Sequence, residues 1–262
     1  MSRGARSGSP VATSPRVRCL LASLPFLLFS SVAAAQPPSL TPPIERAPAV
    51  EPDAHIGGGI LLPTAETQPA GTTIAGSYEL AAMGLSYSPT DDLQLSLTAL
   101  APLADDLPFI ASPSVKLRLL ASERVHFAVL GSAYAGSDGG DTGTAIAGGL
   151  AASVCLDRGC NSLLSATAGL AHLFIEDEEN PDGLMLAVGG VSWVQRLAPR
   201  IKLLLEAGRA AIDPDSLGYV GYGLRLHGDR VAADLTFLMD AEGGASEITP
   251  LGVPFVAVSC RL

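Results

Sequence analysis

His126 and His172, with Ser132, Ser165, Glu206 and Asp234, are the side chains of this sequence from which a hydrolytic set could be drawn. In such a set an imidazole activates a hydroxyl and a carboxylate orients the ring. No G-x-S-x-G elbow marks a nucleophile, and a lone inward histidine in a strand is better read as a hydrogen-bonding group. The runs Gly57-Gly58-Gly59 and Gly139-Gly140 are not followed by a helical pattern, so they do not read as phosphate loops. The sequence therefore predicts no catalytic residue, no cofactor and no dedicated metal centre. The expectation is that the chain is not an enzyme.

Seven charged or titratable residues have a different kind of spacing. Lys116 and Arg118 alternate with Val115, Leu117 and Leu119; His126 alternates with Val125 and Phe127; Lys202 and Glu206 fall opposite Ile201, Leu203 and Leu205. Arg225 stands between Leu224 and Leu226, and Asp234 between Ala233 and Leu235. Since residues i and i+2 of a strand share a face, each of these segments has one apolar and one wet side. In a closed barrel with its apolar face outward, Lys116, Arg118, His126, Lys202, Glu206, Arg225 and Asp234 line the lumen. There they either pair across a filled core or border an aqueous path. A narrow or plugged interior is favoured, because a barrel of about 12 strands lies between the filled eight-stranded and open sixteen-stranded sizes.

The elements that would position these residues form a ladder of hairpins with two alternating kinds of connection. Short turns fall at Pro89-Thr90-Asp91-Asp92, Ala121-Ser122-Glu123-Arg124, Leu156-Asp157-Arg158-Gly159, Ala198-Pro199-Arg200 and His227-Gly228-Asp229-Arg230, and most basic residues lie at or near them. Arg209 is the main exception. Longer connections carry acids without Lys or Arg, the densest being Glu176, Asp177, Glu178, Glu179 and Asp182. Such acids could gather divalent cations, but they lack the spacing of an EF-hand loop, and a solvated rim is the plainer reading. Short turns at one end and longer loops at the other are the pattern of a bacterial outer-membrane barrel. Counting from Thr72 gives about twelve strands, with roughly ten to fourteen as the bounds if the first hairpin is misread or His55 to Leu62 adds a pair.

The 262-residue chain has a net charge of -10, which disfavours nucleic acid as a partner. Residues 1–35 read as a secretory signal peptide, with Arg3, Arg6, Arg16 and Arg18 before an apolar run and Ala33-Ala34-Ala35 as the cleavage site. Residues 36–53, rich in proline, read as a disordered linker, and 54–262 as the barrel. No later run is long and apolar enough to be a spanning helix. Cys155 and Cys160 flank a short turn and are expected to form a disulfide, as export to an oxidising compartment allows.

The stretch Leu62-Pro63-Thr64-Ala65, with Gly71, Tyr78 and then Gly84-Leu85-Ser86-Tyr87-Ser88-Pro89-Thr90-Asp91-Asp92-Leu93-Gln94-Leu95, resembles a broad group of largely uncharacterised bacterial outer-membrane β-barrel proteins. The chain ends in Leu262, where members of that group usually end in an aromatic residue. The resemblance brings no catalytic residues with it. Together these readings predict an all-β fold: a single antiparallel transmembrane β-barrel with short periplasmic turns and longer acidic extracellular loops, in the bacterial outer membrane. A structural or passive-transport, porin-like role is expected, with outer-membrane lipid and the barrel-assembly machinery as partners. The alternatives are an outer-membrane lipid-acting enzyme and a soluble periplasmic β-protein that binds an apolar ligand.

Overall fold

A computed structural model of the chain describes residues 58–78, 82–100, 109–138, 141–175, 183–212, 215–241 and 252–262. The signal peptide and linker expected at 1–53, and the acidic loop 176–182 with its proposed cations, lie outside the described residues. Twelve strands follow one another: β1 (Thr73–Tyr78), β2 (Ala82–Tyr87), β3 (Leu93–Leu100), β4 (Phe109–Ala121), β5 (Val125–Asp138), β6 (Asp141–Cys155), β7 (Ser162–Ile175), β8 (Leu184–Ala198), β9 (Ile201–Ile212), β10 (Asp215–His227), β11 (Val231–Asp240) and β12 (Val253–Arg261). Each pairs antiparallel with its sequence neighbours, and β1 closes on β12 from Ile74↔Arg261 to Tyr78↔Ala257. The result is a closed barrel of twelve strands. Closure removes both sheet edges, so no strand is left with a row of unpaired backbone groups.

The two faces sort as the period of two requires. On β4, Ile110, Ser112 and Lys116 are buried while Phe109, Val115 and Leu117 are exposed; on β10, Arg225 is 2 % exposed between Leu224 at 46 % and Leu226 at 57 %. Exposed Leu85, Ile146, Leu170, Val191, Leu235 and Val256 carry the apolar face around the circumference. A soluble protein rarely exposes a contiguous apolar area of this extent. Among the described residues no helix is long and apolar enough to cross a membrane. Strands β4 to β9 run for 12 to 15 residues, above the roughly 9–11 a tilted strand needs to span a bilayer.

Bulges break strict alternation at two points near the turn end. Between Arg118 and Leu120 the register of β4 on β5 shifts by one residue, which leaves Leu119 and Leu120 both on the exposed side. The same occurs between Arg196 and Ala198 on β8. The β6–β7 turn is tied by the Cys155–Cys160 disulfide, with the two Cα atoms 4.7 Å apart. Within it the Asp157 carboxylate accepts from the backbone N–H of Gly159 (2.8 Å) and Asn161 (3.0 Å). The Asn161 N–H, then that of Gly159, holds its pKa below the usual carboxylate range.

The twelve-strand ladder, rather than the disulfide, holds the fold. Closing so short a loop contributes about 2 kcal/mol on the chain-entropy model. The protein should therefore migrate on detergent gels as a compact form that shifts only on boiling, with or without reductant. A compact form lost on reduction alone would place the main constraint in the turn.

Candidate functional site

The lumen is where the polar side chains converge, and part of the chain itself occupies it. Residues 58–72, which the sequence places within the barrel, with His55 to Leu62 as an alternative extra strand pair, run through its interior before entering β1. The Gly59 N–H donates to the Leu62 carbonyl at 2.8 Å, and Gly58 bridges Pro63, so the segment begins as a tight turn with Ile60 and Leu61 at its tip. Ile60, Leu62, Thr64, Ala65, Thr67 and Gln68 are all buried.

Glu206, on the inward face of β9, receives that tip. Its carboxylate accepts the backbone N–H groups of Ile60 (2.9 Å), Leu61 (2.8 Å) and Leu62 (3.1 Å), and the Tyr219 hydroxyl from β10 (2.9 Å). A buried carboxylate is costly unless its lone pairs are filled, and here backbone amides of the inserted turn fill them. Arg225 handles the carbonyls of the same turn. Its guanidinium forms a two-point pair with Asp234, its register neighbour on β11, through Nε at 2.7 Å and Nη2 at 2.8 Å. The guanidinium also donates to the Gly58 and Gly59 carbonyls, each at 3.3 Å.

Glycines make the fit sterically feasible. A side chain at Gly221 would come within 2.9 Å of Ile60 Cδ1, and one at Gly190 within 2.7 Å of Leu62 Cδ1. Each bare patch of wall thus houses one apolar side chain of the turn. Leu62 then joins Ile110, Tyr134, Leu173, Leu186 and Val188 in an apolar cluster across the lumen.

Beyond its tip the segment is held by the opposite wall. Thr167 donates to the Pro63 carbonyl (2.7 Å), Ser153 accepts the Ala65 N–H (2.8 Å), and Lys116 Nζ donates to the Glu66 carbonyl (2.9 Å). The Glu66 carboxylate meets His126 Nδ1, while His126 Nε2 lies 2.7 Å from the Ser122 carbonyl. Nearer β1, the Ala70 N–H reaches Asp91 Oδ1 at 2.7 Å and the Gly71 N–H reaches the Ser88 carbonyl at 2.7 Å. Gly71, at a φ of 75°, takes the left-handed bend that turns the chain into the wall.

The structure brings five of the seven sequence-predicted lumen residues onto this segment, directly or through one partner: Lys116, His126, Glu206, Arg225 and Asp234. Arg118 pairs instead with Asp92 in the β2–β3 turn at 3.0 Å. Lys202 stands in register between Arg196 and Arg225, which puts three cations side by side on the inner wall. The residues of the hydrolytic set are not assembled. His172 packs edge-on against Phe174, with ring centroids 4.4 Å apart, and Ser165 bonds Ser153, which holds the inserted segment.

The partners that sequence reasoning missed are mostly backbone groups of residues 58–66, joined by the Glu66 carboxylate on His126 and the Tyr219 hydroxyl on Glu206. Their signal was a stretch containing Pro63 and Pro69 that follows no period of two, ahead of strands that do.

No protein-family model matches the chain, and no curated protein aligns with it significantly. Solved structures with a similar trace are outer-membrane β-barrel proteins. They include the outer-membrane expressed OmpT of Vibrio cholerae (11% identity, TM-score 0.38, 69% of this chain and 64% of that one). An anion-selective porin from Comamonas acidovorans is also similar (10% identity, TM-score 0.38, 69% of this chain and 57% of that one). LpxR from Salmonella typhimurium has 9% identity and a TM-score of 0.42 over 72% of this chain and 99% of that one. The chain spans less than two thirds of the first two. At such scores the likeness supplies no residue roles, and the architecture stands on this chain's own topology: a closed antiparallel barrel of twelve strands with an occupied lumen.

Proposed function

We propose that the protein is a bacterial outer-membrane barrel of structural or passive-transport type whose passage is closed by its own residues 58–72. The observation that carries this reading is the seating of the turn at Ile60 to Leu62 on Glu206 and Arg225. The two wall charges most deeply buried in the lumen are satisfied by backbone of the inserted segment, so a filled interior is the resting state. The continuous apolar outer face supports placement in lipid. A soluble apolar-ligand carrier would have to cover that face, and a lipid-acting enzyme would need a catalytic set on or near it. His172 is the outward histidine, and its ring packs edge-on against Phe174. Should the segment leave, Lys116, Arg118, Lys202 and Arg225 would border the turn end of the lumen, with Glu206 and Asp234 offsetting part of their field. Rings of fixed charge at close range set ion preference, so such a path would be narrow and weakly anion-selective.

Two measurements test this. In planar bilayers the intact chain should be closed, whereas Glu206→Ala, which leaves three backbone donors of the turn without their acceptor, should weaken the seat by about 3 kcal/mol and give small, weakly anion-selective openings. Gly221→Val, which crowds Ile60 and Leu238 while leaving the neighbouring Glu206 carboxylate in place, should open it as well. Large steady conductance from the intact chain would refute closure, and silence from both variants would make the interior a permanent filling rather than a gate. In whole cells, a cysteine label in the 176–183 loop should react from outside, and one beside Arg158 should not. Equal labelling would overturn the orientation.

A further inference from the structure

Arg209 stands apart from the cations of the inner wall. It lies on β9 three residues beyond Glu206, and this odd spacing sends its side chain to the opposite face: Glu206 is buried in the lumen and Arg209 is exposed on the outer wall. Among the strand residues whose side chains are described it is the one Lys, Arg, Asp or Glu on the outward face. It is also at the loop end, three residues short of the end of β9 at Ile212, whereas the basic residues of the inner wall crowd toward the turns.

The surroundings of Arg209 are as unusual as its sign. Its register partners on both sides are glycines, Gly189 on β8 and Gly218 on β10, and its neighbours along β9 on the same face are Ala207 and Ala211. Small residues therefore adjoin it on all four sides of the outer face, and the next large apolar side chains, Val191 and Val220, flank Ala207 toward the turn end. A single hydroxyl, Ser216, accepts from Arg209 Nη2 at 2.6 Å and holds the guanidinium against the wall. Among the described residues no carboxylate meets it.

A lipid-facing arginine is disfavoured most at the bilayer midplane and least near the interface. Three residues at roughly 3.3 Å each, tilted about 40°, place the Arg209 Cα some 8 Å inside the strand end, between those limits. A compensating anion is what makes that position favourable. We propose that Arg209, framed by Gly189 and Gly218 and steadied by Ser216, is a seat on the outer wall for the phosphate of an outer-leaflet lipid headgroup. The planar guanidinium suits a tetrahedral phosphate through two parallel N–H donors, and the small residues beside it, Gly189 above all, leave room for a headgroup, while Ala241 lies against Gly218. The site rests on the reading of the outer face as lipid-exposed, and it is independent of whether the lumen ever opens.

The test is native mass spectrometry of the full mature chain in detergent, with bisphosphorylated lipid A as probe and its dephosphorylated counterpart as control. Wild type should retain one bisphosphorylated molecule, and Arg209→Gln should reduce that retention roughly tenfold, with Arg209→Lys between the two because an ammonium is a point charge. The dephosphorylated lipid should bind wild type no better than the phosphorylated lipid binds Arg209→Gln. Boiling-dependent gel migration of each variant checks that the barrel is intact. Equal retention by wild type and Arg209→Gln overturns the site, as does displacement of the lipid by millimolar inorganic phosphate. A chain that remains soluble without detergent overturns the membrane reading itself, and with it this seat.

Discussion

The pairing of β1 with β12 is the constraint on which the rest of the structure depends. A twelve-strand antiparallel sheet left open would expose two edges and have no inside, and its apolar and polar faces would simply be its two surfaces. Once Ile74 is set against Arg261 and Tyr78 against Ala257, one face becomes a wall and the other a lumen. The period-two alternation of β4, β10 and β11 then acquires its meaning, because Leu224 and Leu235 must face out if Arg225 and Asp234 face in. For a wall in hydrocarbon, closure is also the condition for satisfying every backbone hydrogen bond without water.

A polar lumen brings a difficulty of its own. Glu206, Arg225, Asp234 and Lys116 are each at most 5 % exposed, and ions so far from water must find partners in the protein. Asp234 and Arg225 find each other across β10 and β11, which is inexpensive because register already places them side by side. Glu206 has no cationic neighbour in register; Leu204 and Gly208 flank it on the inward face of β9, and Ser192 and Gly221 lie opposite. It takes three amides from a turn 144 to 146 residues earlier in the chain. The inserted segment thus completes the electrostatics of the wall as well as occupying its volume.

The fold was largely legible from the residues, and the reason is the strict periodicity of a half-buried strand. Val115, Leu117 and Leu119 against Lys116 and Arg118 can be one thing in a sheet, and five short turns rich in Asp, Gly, Pro and Ser punctuate the strands at the right intervals. The Cys155 and Cys160 pairing was legible for a similar reason, since a turn that brings two strands together brings their flanking cysteines within reach. What the lumen residues bind was not legible. Glu206 alternates like any inward polar residue, and nothing in its neighbourhood says that its partners are backbone amides of Ile60, Leu61 and Leu62. Backbone donors leave no trace in side-chain pattern, and contacts across such sequence distances are set by the closed barrel. The bulges at Leu119 and Leu197 were equally silent, because an extra leucine in an apolar stripe looks like more of the stripe.

Gly71, where the inserted segment becomes β1, links filling the interior to sealing the cylinder. The seam that closes the cylinder joins the strand that follows this glycine to the C-terminal strand, so the contents of the barrel are tethered to one lip of the seam. The topology favours an order of assembly in which the turn docks on the half-built wall of β8, β9 and β10 while the cylinder is still open, and β1 then swings from Gly71 to meet β12. Threading the turn afterwards would require driving a folded hairpin with buried apolar tips past a finished rim. With the turn docked first, the inserted turn and the seam share one loop closure, whose entropy is spent once for both.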